Sequence, residues 1–102
     1  MSKLSKQEVL PVVIKFLGSA LGSLEKDLEA ISLNVAYRVD GLDSPYQIRE
    51  AIYVSLCAQL IHGRGRVMTT YDRELIDDMS GKLRDILVGG IIKYSVYRGR
   101  SI

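Results

Sequence analysis

The polar and apolar positions from Ser44 to Gly63 write out one helix with both ends marked. Ser44 stands where an N-cap accepts a free backbone N–H. Pro45 fits the first helical position, and Gln47 completes a Ser-x-x-Gln capping box. Between Ala51 and Ile61 only Ser55 and Gln59 are polar. A helix that is apolar nearly all round is buried on several sides. Gly63 is expected to end it in the left-handed conformation, with His62 where a partial positive charge suits the C-terminus. The pattern predicts a central helix around which a small helical domain is built.

Upstream, Ser5-Lys6-Gln7-Glu8 reads as a second capping box, followed by Val9, Val12, Val13, Phe16 and Leu17 at helical spacing. Pro11 removes one hydrogen bond there, so a kink or a late start near Leu10 is expected. A further helix is predicted from Ser23. Leu24, Leu28, Ile31, Val35 and Val39 form one stripe that stops at Asp40-Gly41. The pattern then returns. A shift of 39 residues carries Ser5 onto Ser44, Val9 onto Ile48, Val13 onto Ile52 and Leu17 onto Leu56. A shift of 47 carries Leu24–Leu28 onto Tyr71–Leu75, and one residue of slippage brings Ile31 onto Met79 and Val35 onto Leu83.

The reading is an all-α domain, residues 1–102, made of two helical hairpins related by internal repeat: 5–42 and 44–90. The second has the longer loop, His62–Thr70. Two copies fall short of a solenoid, so a closed four-helix arrangement about a pseudo-two-fold is expected. Its core should contain Val9, Val13, Phe16, Leu17, Leu28, Ile31, Val35, Ile48, Ile52, Leu56, Leu60, Leu75, Met79, Leu83 and Leu87. Gly89-Gly90 sets off a C-terminal segment, 91–102, whose alternation of Ile92, Tyr94 and Val96 suits a strand; a short docked helix is the rival.

Composition narrows the class. An apolar fraction of 47% with 25% charged residues over 102 positions suits one folded domain with a modest core. No apolar run approaches the ~18 residues a bilayer span requires, so no membrane partner is expected. The short apolar stretch near Val9–Ile14 contains Pro11 and makes a poor secretory signal. A single cysteine, Cys57, excludes an internal disulfide and reads as a small core hydrophobe. The net charge is +2, but residues 1–61 hold 6 Lys+Arg against 7 Asp+Glu, and residues 62–102 hold 8 against 5. The basic excess is C-terminal.

Chemistry is sparse. One histidine supports no triad, and no cofactor or metal is expected. Asp77-Asp78 with Asp85 reads as a solvated face, and Gly63-x-Gly65 lacks the context of a nucleotide fingerprint. The chain is therefore read as non-enzymatic. Two surfaces compete. Six tyrosines stand beside one phenylalanine and no tryptophan, and tyrosine suits contact surfaces. Tyr46, Tyr53, Tyr71, Tyr94 and Tyr97 are the candidates for a groove between the hairpins that receives a peptide or protein, a second copy of the chain included. The alternative is nucleic acid, bound through Arg-Gly-Arg at Arg64–Arg66 and Arg98–Arg100. Glycine lets backbone approach a phosphate, and Arg64, Arg66, Arg98 and Arg100 supply the guanidinium groups.

Paired hairpins, a single Asn, three Gln, the Tyr94-Ser-Val-Tyr97 stretch and the lack of a catalytic motif make a sequence that resembles the small orphan proteins of viruses of hyperthermophilic archaea, filamentous ones included. That resemblance implies a place in the host cytoplasm or in the virion, and no inherited activity.

Overall fold

The computed structural model describes residues 3–22 and 26–90. It is all-α: α1 (Lys6–Leu21), α2 (Leu28–Val39), α3 (Pro45–Leu60) and α4 (Thr70–Asp85). A 3-10 turn at His62–Arg64 follows α3, and a π-helical turn at Ile86–Gly90 extends α4. No strand occurs among the described residues. Segment 91–102, Ser23 and Leu24 lie outside them. None of the described helices is long and apolar enough to cross a membrane.

Consecutive helices pack as antiparallel neighbours: α1 on α2, α2 on α3, α3 on α4, with only a slight α1–α4 contact. This gives two helical hairpins with α2 and α3 central. Val9, Val13 and Leu17 from α1 meet Ile31, Val35 and Val39 from α2, Ile48, Ile52 and Leu56 from α3, and Ile76, Leu83 and Leu87 from the last helix, in one core. Fully burying an aliphatic side chain of this size contributes roughly 1.5–3 kcal/mol.

Each helix end has its own chemistry. At α3 the cap is as expected, since Ser44 Oγ accepts the Gln47 N–H at 3.5 Å with Pro45 in the first turn, but the reciprocal Gln47 side-chain bond of a capping box does not form. At α1 it is corrected. Ser5 Oγ donates to Gln7 Oε1 at 2.9 Å and makes no cap bond to the backbone. The free Lys6 N–H is taken instead by Asp40 Oδ1 at 2.8 Å, from the far end of α2. Two backbone bonds, Leu4 N–H to Leu42 O and Gly41 N–H to Leu4 O, both 2.8 Å, fasten the same corner. Gly41 turns there at φ +79°, where an L side chain is strained. Pro11 sits inside α1, which runs unbroken from Lys6.

The end of α3 is a second correction. The left-handed residue is Gly65, at φ +69°, and not Gly63. Gly63 answers to space instead, since a Cβ there would stand 2.9 Å from the Ala58 carbonyl oxygen. The core list needs a third. Leu75 is 40% exposed and its place is taken by Ile76, while Phe16 and Leu28 are only partly buried. In a helix that begins at Thr70 the buried positions are Asp72, Ile76, Met79, Ser80, Leu83 and Leu87, so the repeat alignment is one position off at Tyr71 and Leu75 and in register at Met79, Leu83 and Leu87.

Three buried serines lie between the helices. Ser55 Oγ donates to Asn34 Oδ1 at 2.6 Å across the α2–α3 seam, and Ser80 Oγ donates to the Ile76 carbonyl at 2.7 Å. Ser32 Oγ has no hydrogen-bond partner among the described residues. A buried hydroxyl without a hydrogen bond is costly, so Ser32→Ala is expected to raise the unfolding free energy by about 1 kcal/mol. Equilibrium urea unfolding measures this, and a loss of stability would show that the hydroxyl is satisfied.

Candidate functional site

The α3–α4 hairpin has a cleft on its outer side. Tyr46, Arg49, Glu50 and Tyr53 line it from α3, and Arg73, Glu74 and Asp77 from α4; its volume is about 450 Å³. That lies within the usual range for ligand and peptide sites, about 300–1,000 Å³. Helical periodicity explains the lining. Residues 46, 49, 50 and 53 fall on one side of α3, next to the face that buries Ile48, Ile52 and Leu56. Residues 73, 74 and 77 do the same beside Ile76 and Ser80 on α4.

Arg49 and Asp77 form an ion pair that ties the two walls together. Their side chains are 37% and 55% exposed, so the pair adds little stability. Tyr53 is half-buried against Cys57, one turn along α3. Burial raises its phenol pKa, and the neighbouring Cys57 raises it further, so the ring keeps its O–H through the physiological range. Burial also raises the Cys57 pKa. A thiol shifted in that direction is a poor nucleophile, in keeping with a packing role.

Two of the five candidate tyrosines, Tyr46 and Tyr53, come together in this cleft. Tyr71 is 72% exposed at the start of α4 and does not line it. Tyr94 and Tyr97 lie outside the described residues. The cleft lies inside the second hairpin, while α2 and α3 pack directly on each other with Asn34 bonded to Ser55 between them.

The arginines of the first Arg-Gly-Arg segment are engaged with the protein. Arg66 reaches both oxygens of Asp72, at 3.0 and 3.2 Å, and the Leu60 carbonyl at 3.4 Å. Asp72 also accepts the Thr69 N–H and hydroxyl, which holds its carboxyl below the usual carboxylate range. Arg64 stands 3.6 Å from Asp27, linking the α3–α4 loop to the start of α2. Arg98 and Arg100 lie outside the described residues. The acidic trio is also spoken for: Asp77 by Arg49, Asp78 by Lys82, Asp85 by Arg84. No group of three or more potential ligands for a metal ion occurs among the described residues.

The pattern of apolar positions passes over Arg49, Glu50, Arg73, Glu74 and Asp77. A signal for them exists in the spacing. Tyr46 to Glu50, Arg49 to Tyr53 and Arg73 to Asp77 are each four apart, so polar and aromatic groups share a face on α3 and charged groups share one on α4. Comparison of the chain with protein-family models, with curated proteins and with solved structures finds no match.

Proposed function

We propose that this chain is a non-enzymatic protein–protein interaction module that receives a peptide segment in the cleft between α3 and α4. The observation that carries the reading is the meeting of Tyr46 and Tyr53 in a charged cleft of about 450 Å³ on a rigid helical hairpin. Tyrosine brings a large apolar body and a polar tip at low conformational cost, and such residues dominate binding energy at interfaces. Tyr46 is 74% exposed, so its ring is free to be covered. The Arg49–Asp77 ion pair links the two walls, and both walls are regular helix.

The test is selection of a displayed random-peptide library on the full chain, followed by amide chemical-shift mapping of the best binder. The expected result is micromolar binding, with shifts centred on Tyr46, Arg49, Tyr53 and Asp77. Tyr46→Ala and Tyr53→Ala should each weaken it by about tenfold, the scale of an interface hot spot. Failure to enrich any peptide, or shifts that fall on α1 and α2, would overturn the reading.

A further inference from the structure

We infer that the segment received by the cleft belongs to a partner protein and presents a lysine or arginine side chain, held between the Tyr46 ring and the carboxylates of Glu50 and Glu74. The inference rests on the proposed interaction site and concerns its charge selectivity. Three carboxylates and two guanidinium groups line the cleft. Asp77 and Arg49 neutralise each other across it. That leaves Glu50 and Glu74 against Arg73, and none of these three has an ion pair among the described residues. One negative charge is left over, in a cleft with two tyrosine rings on its α3 wall.

The arrangement matches a cation in two ways. Glu50 lies one turn along α3 from Tyr46, so a carboxylate and a ring stand side by side on one face. An alkylammonium or guanidinium group is attracted by the ring face and by the carboxylates together, while its aliphatic stem packs on apolar surface. A lysine or arginine side chain uses both features; an acidic segment would meet the same carboxylates with repulsion. The rest of the molecule opposes the effect. The chain as a whole is +2, so a basic peptide gains nothing from the net field and must be captured locally.

The experiment titrates the full chain with capped tri-arginine and capped tri-glutamate peptides at ~100 mM salt, reading backbone amide shifts. Tri-arginine is expected to bind, with the largest shifts at Tyr46, Glu50, Tyr53 and Glu74. The double variant Glu50→Gln/Glu74→Gln should weaken it by about tenfold, and Glu8→Gln on α1 should leave it unchanged. Both glutamates are exposed, so the double variant should keep the thermal midpoint of the parent. Stronger binding of tri-glutamate, shifts away from the cleft, or an unchanged affinity in the double variant would each overturn the inference. So would library-selected peptides that occupy the cleft without a basic residue, and in that case the interaction reading itself would stand.

Discussion

Leu56→Ala is expected to lower the unfolding free energy by about 2–5 kcal/mol. Leu56 is fully buried in the C-terminal half of α3, the helix that packs against both α2 and α4. Truncating its isobutyl group to a methyl forfeits the transfer free energy of three carbons. It also leaves a cavity that two flanking helices cannot both close. A domain of this size holds about 5–15 kcal/mol in total, so the variant should unfold at a much lower urea midpoint with an unchanged slope. Leu75→Ala is the control. Leu75 is 40% exposed on the neighbouring helix, and its loss should cost less than about 1 kcal/mol. If the two variants unfolded alike, α3 could not be the shared wall of the core.

The contrast between Leu56 and Leu75 also marks how far the sequence can be read. Where a cap is followed by a clean apolar stripe, as at Ser44–Leu60, the element, its start and its buried face are all legible. Leu56, Ile52 and Ile48 are where periodicity puts them. In α4 the stripe is interrupted by charge, and its register depends on where the helix begins. The repeat alignment anchors it on Tyr71–Leu75. The structure anchors it on Thr69, whose hydroxyl accepts the Asp72 N–H at 3.1 Å while Asp72 Oδ2 accepts the Thr69 N–H. That capping box was in plain sight as Thr-x-x-Asp, with a shorter acid than the usual Glu.

The corner at Leu4–Lys6 was not legible at all. Asp40 caps α1 from 34 residues away, and no local pattern announces such a bond. The cleft falls between these cases. Its tyrosines stand out by type, but which of them meet, and with which charges, depends on how α3 and α4 align. That alignment comes from the loop between them.

The loop's anchor is Asp72, and Asp72→Asn is expected to destabilise the fold at neutral pH by more than Thr69→Ala does. Loss of an N-cap hydroxyl costs about 1 kcal/mol, within ~0.5–2. Asp72 does more than complete that cap: its two oxygens also hold Arg66, which in turn reaches the Leu60 carbonyl at the end of α3. One carboxylate thus ties the start of α4 to the end of α3, with a side chain only 11% exposed. Asparagine keeps one acceptor oxygen but gives up the charge that Arg66 and the helix N-terminus favour.

The pH dependence has a definite sign. The Thr69 N–H and hydroxyl, with Arg66 beside them, hold the Asp72 pKa below its ordinary value, so the unfolded state binds the proton more tightly. The stabilisation is therefore full above the unfolded carboxylate pKa, near ~3.9, and is lost as pH falls through the lower folded value. The gap in urea midpoint between the parent and Asp72→Asn should be wide at pH 7 and close progressively below about pH 4. Asp78→Asn, at an exposed pair with Lys82, should show little gap at any pH. A gap that stayed constant with pH would mean that Asp72 acts through packing and not through its charge. Because the same carboxylate sets where α4 begins, Asp72→Asn should also disturb the amide environment of Arg49 and Asp77. The cleft is only as well formed as the loop that aligns its walls.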